Sequence, residues 1–158
     1  MKSKWLPLHK VVNYGYFEVI RLLISEFGID TNTKDRKGCT LLHLAVRRGY
    51  VEFLQLFMAN FGRDANSKDA IGCMLVNNNG QTLLHLAASN RNIEAIKFLM
   101  EKCRADVNNK DSIGWMPLHM TTKYRYINVV ELLITKFRMN IVMRDNKKNR
   151  LLNLAKKS

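Results

Sequence analysis

Thr82-Leu83-Leu84-His85-Leu86-Ala87-Ala88 decides the fold, because the same stretch returns in weaker form along the whole chain. Upstream are Thr40-Leu41-Leu42-His43-Leu44-Ala45-Val46 and Leu6-Pro7-Leu8-His9-Lys10-Val11-Val12. Downstream are Met116-Pro117-Leu118-His119-Met120-Thr121-Thr122 and Arg150-Leu151-Leu152-Asn153-Leu154-Ala155. The step is 34 residues from His9 to His43, 42 to His85, 34 to His119 and 34 to Asn153. A fixed period of this size marks a stack of small units that bury their apolar faces against one another.

Working outward from the repeated stretch, each unit reads as a short helix, a turn, a longer helix and a polar loop. Pro7 suits the first position of a helix, where its missing N–H would have had no partner. Thr40 suits an N-cap, its hydroxyl accepting from the backbone N–H near His43. Leu42, Leu44 and Ala45 should face inward. Turns follow near Gly15, Gly49, Asn90-Arg91 and Arg125. The second helices carry wide apolar stripes. They read as Phe17 to Phe27 with Val19, Ile20, Leu22, Leu23 and Ile24, and about Val51 to Asn60 with Phe53, Leu54, Leu56 and Phe57. Ile93, Ile96, Phe98 and Leu99 line the third, and Ile127, Val129, Val130, Leu132, Leu133 and Ile134 the fourth. The expected fold class is therefore all-α: a solenoid of helix-turn-helix units with β-turn or hairpin loops, forming a single domain over 1–158. Its units span about 5–37, 38–71, 80–113 and 114–147, with a partial unit over 148–158.

The long step has a visible origin. Asp69 to Val76 matches the pattern of Asp35 to Leu42, and Asn77 to Leu84 matches it again. The eight extra residues, about 72–79, read as a duplicated turn. They should bulge as an extended finger, with Asn79-Gly80 at a hairpin-type turn. Such a finger would expose Met74, Leu75 and Val76, either as a partner contact or as an insertion tolerated at little cost.

Composition narrows the function. No apolar run approaches the ~18 residues that cross a bilayer, and Met1-Lys2-Ser3-Lys4-Trp5 lacks a signal-peptide core. The expectation is an intracellular protein, cytoplasmic or nuclear, not secreted, and monomeric. Cys39, Cys73 and Cys103 are odd in number and form no C-x-x-C pair, so they read as reduced thiols. The net charge of +13 favours an acidic partner: nucleic acid, an anionic surface or an acidic protein. A second concentration of charge lies from Lys136 to Ser158, with eight basic residues against Asp145.

These units resemble ankyrin repeats, whose signature is Thr-Pro-Leu-His-x-Ala in a 33-residue period. Thr82 to Ala87 and Met116 to His119 carry that signature, and Arg104-Ala105-Asp106-Val107-Asn108 matches the family's Gly-Ala-Asp-Val-Asn loop. The family's Asp-x-x-Gly turn matches Asp35 to Gly38, Asp69 to Gly72 and Asp111 to Gly114. The chain departs from the family in its common step of 34 and in Arg104 and Arg138, which replace glycine. Leu6, Met116 and Arg150 offer no capping hydroxyl, so the end units should be less stable than the two inner ones.

The resemblance implies that His9, His43, His85 and His119 join turn to helix by hydrogen bonds. None is then left to act as a base, and units stacked one behind another do not converge on a metal. No phosphate-binding Gly-x-x-x-x-Gly-Lys motif occurs. The reading is a non-catalytic protein without metal or cofactor. It further implies binding through turn tips and the exposed face of the first helices, a concave surface. The residues carried over are Trp5, Asn13 and Tyr14 in the first unit, and Lys34, Arg36, Lys37, Cys39, Arg47 and Arg48 in the second. They are Gln81, Ser89 and Asn90 in the third, and Lys110, Ser112, Ile113, Trp115, Lys123 and Tyr124 in the fourth. Tryptophan, tyrosine and arginine together are the composition of an interface centre. The leading expectation is a protein-interaction scaffold or adaptor module for an acidic partner. The alternatives are nucleic-acid or anionic-surface binding through basic patches, and an ankyrin-only inhibitor resembling viral inhibitor-of-kappa-B mimics.

Overall fold

The computed structural model describes residues 7–28, 33–61 and 76–137. Within them the helices come in antiparallel pairs: α1 (Pro7–Asn13) with α2 (Phe17–Phe27), α3 (Leu41–Arg48) with α4 (Val51–Phe61), α5 (Leu83–Ser89) with α6 (Ile93–Glu101), and α7 (Pro117–Lys123) with α8 (Ile127–Glu131). A π-helical turn, Leu132–Lys136, continues α8. The first helices form one continuous row, α1 on α3, α3 on α5 and α5 on α7, while α4 packs on α6 behind them. This is an all-α repeat solenoid.

Burial explains why the repeated stretch is so regular. Leu41–Val46, Leu83–Ala88 and Pro117–Thr122 are each buried without a break. α3 and α5, each with a first helix on either side and its own second helix behind, have no solvent face to vary. Ala45, Ala87 and Ala88, all fully buried, let the axes approach. In the second helices only one stripe is buried, as in α6, where Ala95, Ile96 and Leu99 are inside.

The cap is reciprocal. The threonine hydroxyl takes the helix backbone N–H at the histidine, as expected, and the imidazole adds the return bond: Thr40 N–H donates to His43 Nδ1 at 3.1 Å, and Thr40 Oγ1 lies 2.8 Å from the same nitrogen. Thr82 N–H reaches His85 Nδ1 at 3.2 Å, whereas His85 N–H meets Thr82 Oγ1 only at 3.5 Å. A ring nitrogen that accepts from a backbone N–H carries no proton, so the proton sits on Nε2. His85 Nε2 therefore donates to Trp115 O, 2.8 Å away in the next unit, and His9 Nε2 reaches Cys39 O at 3.3 Å. The His85 imidazole thus does both jobs, bonding at the start of its own helix and tying it to the following turn.

The tips form a ladder of tight turns. Asp35 Oδ1 accepts from Lys37 N–H and Cys39 N–H, both at 2.8 Å, and Asp111 Oδ1 from Ile113 N–H at 3.0 Å and Trp115 N–H at 2.8 Å. In the third unit Asn77 Oδ1 does the same for Asn79 N–H at 2.9 Å and Gln81 N–H at 3.1 Å. Of the two duplicated turns, the later one therefore takes the structural place. Asp69–Gly72, Met74 and Leu75 lie outside the described residues; Val76 is exposed and bridges to Thr82. Asn79-Gly80 is not at the end of a protruding finger. It is pressed between neighbouring tips, Asn78 N–H donating to Lys37 O at 2.9 Å and Ser112 N–H to Asn79 O at 3.0 Å. The approach is close enough that a Cβ on Gly38 would come within 2.7 Å of the Asn78 backbone nitrogen.

Candidate functional site

Uninterrupted burial in α3, α5 and α7 divides the expected binding surface, while Lys10 of α1 stays exposed. Side chains of Leu41–Val46 and their counterparts are not available, so the middle of the expected helix face is closed. What remains exposed lies at the two ends of those helices, as two rims.

The tip rim carries Lys34, Arg36 and Lys37 in the second unit and Lys110, Ser112 and Ile113 in the fourth, all exposed. Gln81 and Trp115 are half-buried. Cys39 is a correction: it is buried, because its N–H is drawn to Asp35 and its carbonyl to His9. Burial, with the Asp35 charge behind it, pushes its thiol above the ordinary range. Trp5 lies outside the described residues.

The second rim is built from the turns that join first to second helices. Here Tyr14, Arg47, Arg48, Asn90, Lys123 and Tyr124 are exposed, and Ser89 is half-buried. Arg48 is committed to its neighbour, Nε and Nη2 donating to Asn13 Oδ1 at 2.9 and 2.6 Å. Arg47 makes no such tie among the described residues, and its charge acts on the Cys39 thiol. In the fourth unit the rims join. Lys123 Nζ lies 5.1 Å from the Trp115 ring centre and 5.5 Å from that of Tyr124, within cation–π range. Trp115 also stacks on His119, with ring centres 6.4 Å apart. The tryptophan is thus held in the wall by a lysine rather than standing clear.

Residues outside the expected set complete the second rim. The turn position is left-handed in all four units: Gly15 at φ 74°, Gly49 at 78°, Arg91 at 58° and Arg125 at 56°. Tyr16, Tyr50 and Tyr126 stand beside it. Their signal was in the sequence: Arg91 and Arg125 fall on the phase of Gly15 and Gly49, which marks a backbone that glycine ordinarily supplies.

The imidazoles are spent on architecture. His9, His43, His85 and His119 are all fully buried. Burial lowers the pKa of His85 despite its bond to Trp115 O, which keeps the ring neutral. Among the described residues no group of three His, Cys, Asp or Glu side chains is placed to hold a metal. Nor is any described helix long and apolar enough to cross a membrane. A family model described as ankyrin repeats in three copies matches residues 1–69 and again 70–148. No curated protein matches the chain.

Proposed function

Since the chain belongs to the ankyrin-repeat family, whose repeats generally mediate protein–protein interaction, we propose that it is a non-catalytic interaction module for a protein with an acidic surface. The observation that carries this reading is the charge of the second unit. Lys34, Arg36, Lys37 and Arg47 are all exposed there, on the tip and at the adjoining helix end. The one carboxylate between them, Asp35, is occupied by two backbone N–H groups. Exposed cations of this kind steer encounter more than they hold the complex. Trp115 with Lys123 supplies an aromatic anchor two units away, of the sort that carries binding energy at interface centres.

The test is affinity capture from cell extract, followed by binding kinetics on the captured partner. Arg36→Glu with Lys37→Glu should slow association by roughly tenfold at low salt and leave dissociation little changed. Association that is unaffected by this double reversal would show the reading to be wrong.

A further inference from the structure

We propose that the rim of turns between first and second helices is a binding edge for single-stranded nucleic acid, distinct from the tip rim, which it meets at Lys123 and Trp115 in the fourth unit. Three observations support it. The first is continuity. Arg48 bonds to Asn13, Tyr50 Oη donates to Asn13 O at 3.4 Å, and Asn92 Nδ2 donates to Val46 O at 2.6 Å. Successive turns are therefore fastened into one ridge running along the stack, with the fourth turn in the same register.

The second is charge. Residues 13–17, 47–51, 89–93 and 123–127 hold Arg47, Arg48, Arg91, Lys123 and Arg125 and no carboxylate. Acidic residues begin only inside the second helices, and Glu18 and Glu94 are paired there with Arg21 at 2.7 Å and Lys97 at 2.8 Å. Two of the five cations, Arg91 and Arg125, occupy the left-handed turn position that glycine fills in the first two units. A long cationic side chain is kept where the backbone disfavours one, and strain of this kind collects at functional positions.

The third is the aromatic component. Tyr14 is 67% exposed, Tyr16 59% and Tyr124 50%, so all three present ring surface to solvent, with Lys123 over one side of Tyr124. They come in pairs, Tyr14–Tyr16 with centres 6.0 Å apart and Tyr124–Tyr126 5.7 Å apart. An acidic protein segment could use both cations and rings, so what favours a strand is the row of cations along successive turns, matched by phosphates that recur along its length. Phosphates follow a row of cations while bases stack on aromatic faces, and that pairing is how single strands are bound without regard to sequence.

The experiment is fluorescence anisotropy of a labelled oligothymidylate with the full chain, titrated across about 50 to 200 mM salt. Arg91→Gly with Arg125→Gly is the informative variant, because glycine suits both backbone positions and the protein should unfold no earlier than wild type. It should weaken binding and make the logarithmic salt slope shallower by about 1.4, or ~0.7 for each lost phosphate contact. Tyr14→Ala with Tyr124→Ala should cost on the order of tenfold or more in affinity with the slope unchanged. Lys34→Gln with Lys37→Gln removes the same charge from the tip rim and should leave the slope as it was. The proposal is overturned if wild type does not bind the oligonucleotide, or if the tip-rim variant flattens the slope as much as the arginine variant does. It is also overturned if polyglutamate displaces the strand as well as unlabelled oligothymidylate, which would make the edge a site for acidic protein.

Discussion

The second and fourth units make the same bend with different side chains. Thr40 and Met116 are both N-caps in extended conformation, at φ −85° and −92°. Gly49 and Arg125 both hold the left-handed turn. In each unit the N-cap N–H meets the imidazole, His43 at 3.1 Å and His119 at 3.2 Å. What the two units share is thus the imidazole and the backbone path. The hydroxyl and the glycine add to them. The comparison ranks the contributions: imidazole first, turn residue second, hydroxyl last.

The largest effect should follow from the shared part. His85→Ala would leave the buried Thr82 N–H without its acceptor, reduce the Trp115 carbonyl to its bond from Asp111 N–H, and open a cavity between two units. A loss of roughly 3 kcal/mol is expected in urea unfolding. A loss below about 1 kcal/mol would mean that the imidazole is not the joint. The same residue gives a pH dependence. Burial sets the folded-state pKa of His85 below its ordinary 6.5. As pH falls through that value the unfolded chain takes up a proton that the folded chain refuses, so stability is complete above it and declines below. The urea midpoint should drop between neutral and mildly acid pH, and the His85→Ala variant should drop less.

The turn residue comes next. A side chain in the left-handed region costs about 1–2 kcal/mol. Arg125→Gly and Arg91→Gly should each stabilise the protein by roughly 1 kcal/mol, measured as a higher unfolding midpoint. Gly49→Arg should lose at least as much, since its Cβ would also crowd Asn92 Oδ1 at 3.1 Å. If Arg125→Gly destabilises, the guanidinium holds contacts that outweigh the strain, and the two turns are not equivalent.

Much of this architecture was legible because it rests on periodicity. The phase of the four histidines placed the four described first helices, the partial unit expected over 148–158 lying outside the described residues, and apolar stripes located the second ones, α2 being observed as Phe17–Phe27. The site was less legible, for two physical reasons. A side chain that points outward in isolation can be claimed by the next unit, as Cys39 is by His9 and Arg48 by Asn13. Those claims cross 30 and 35 residues of chain, and no local pattern reports them. The duplicated turn was ambiguous for a related reason. Asp69–Gly72 and Asn77–Gly80 offer the same chemistry, and only stacking against Lys37 and Ser112 selects the second.

The smallest effect belongs to the hydroxyl, and it is the one that isolates the cap. Met116 supplies no oxygen to the helix start, whereas Thr82 places Oγ1 2.8 Å from its imidazole. Met116→Thr should therefore gain about 0.5–1 kcal/mol, the usual value of a cap. Amide hydrogen exchange can locate the gain as well as measure it. In the wild type, α7 should exchange faster than α5, and the substitution should slow exchange in α7 while leaving α3 as it was. Met116 is itself almost fully buried, so threonine also gives up apolar contact there. A net loss of stability with α7 exchanging faster would show that packing at the N-cap outweighs capping, and that the fourth unit is held together differently from the second.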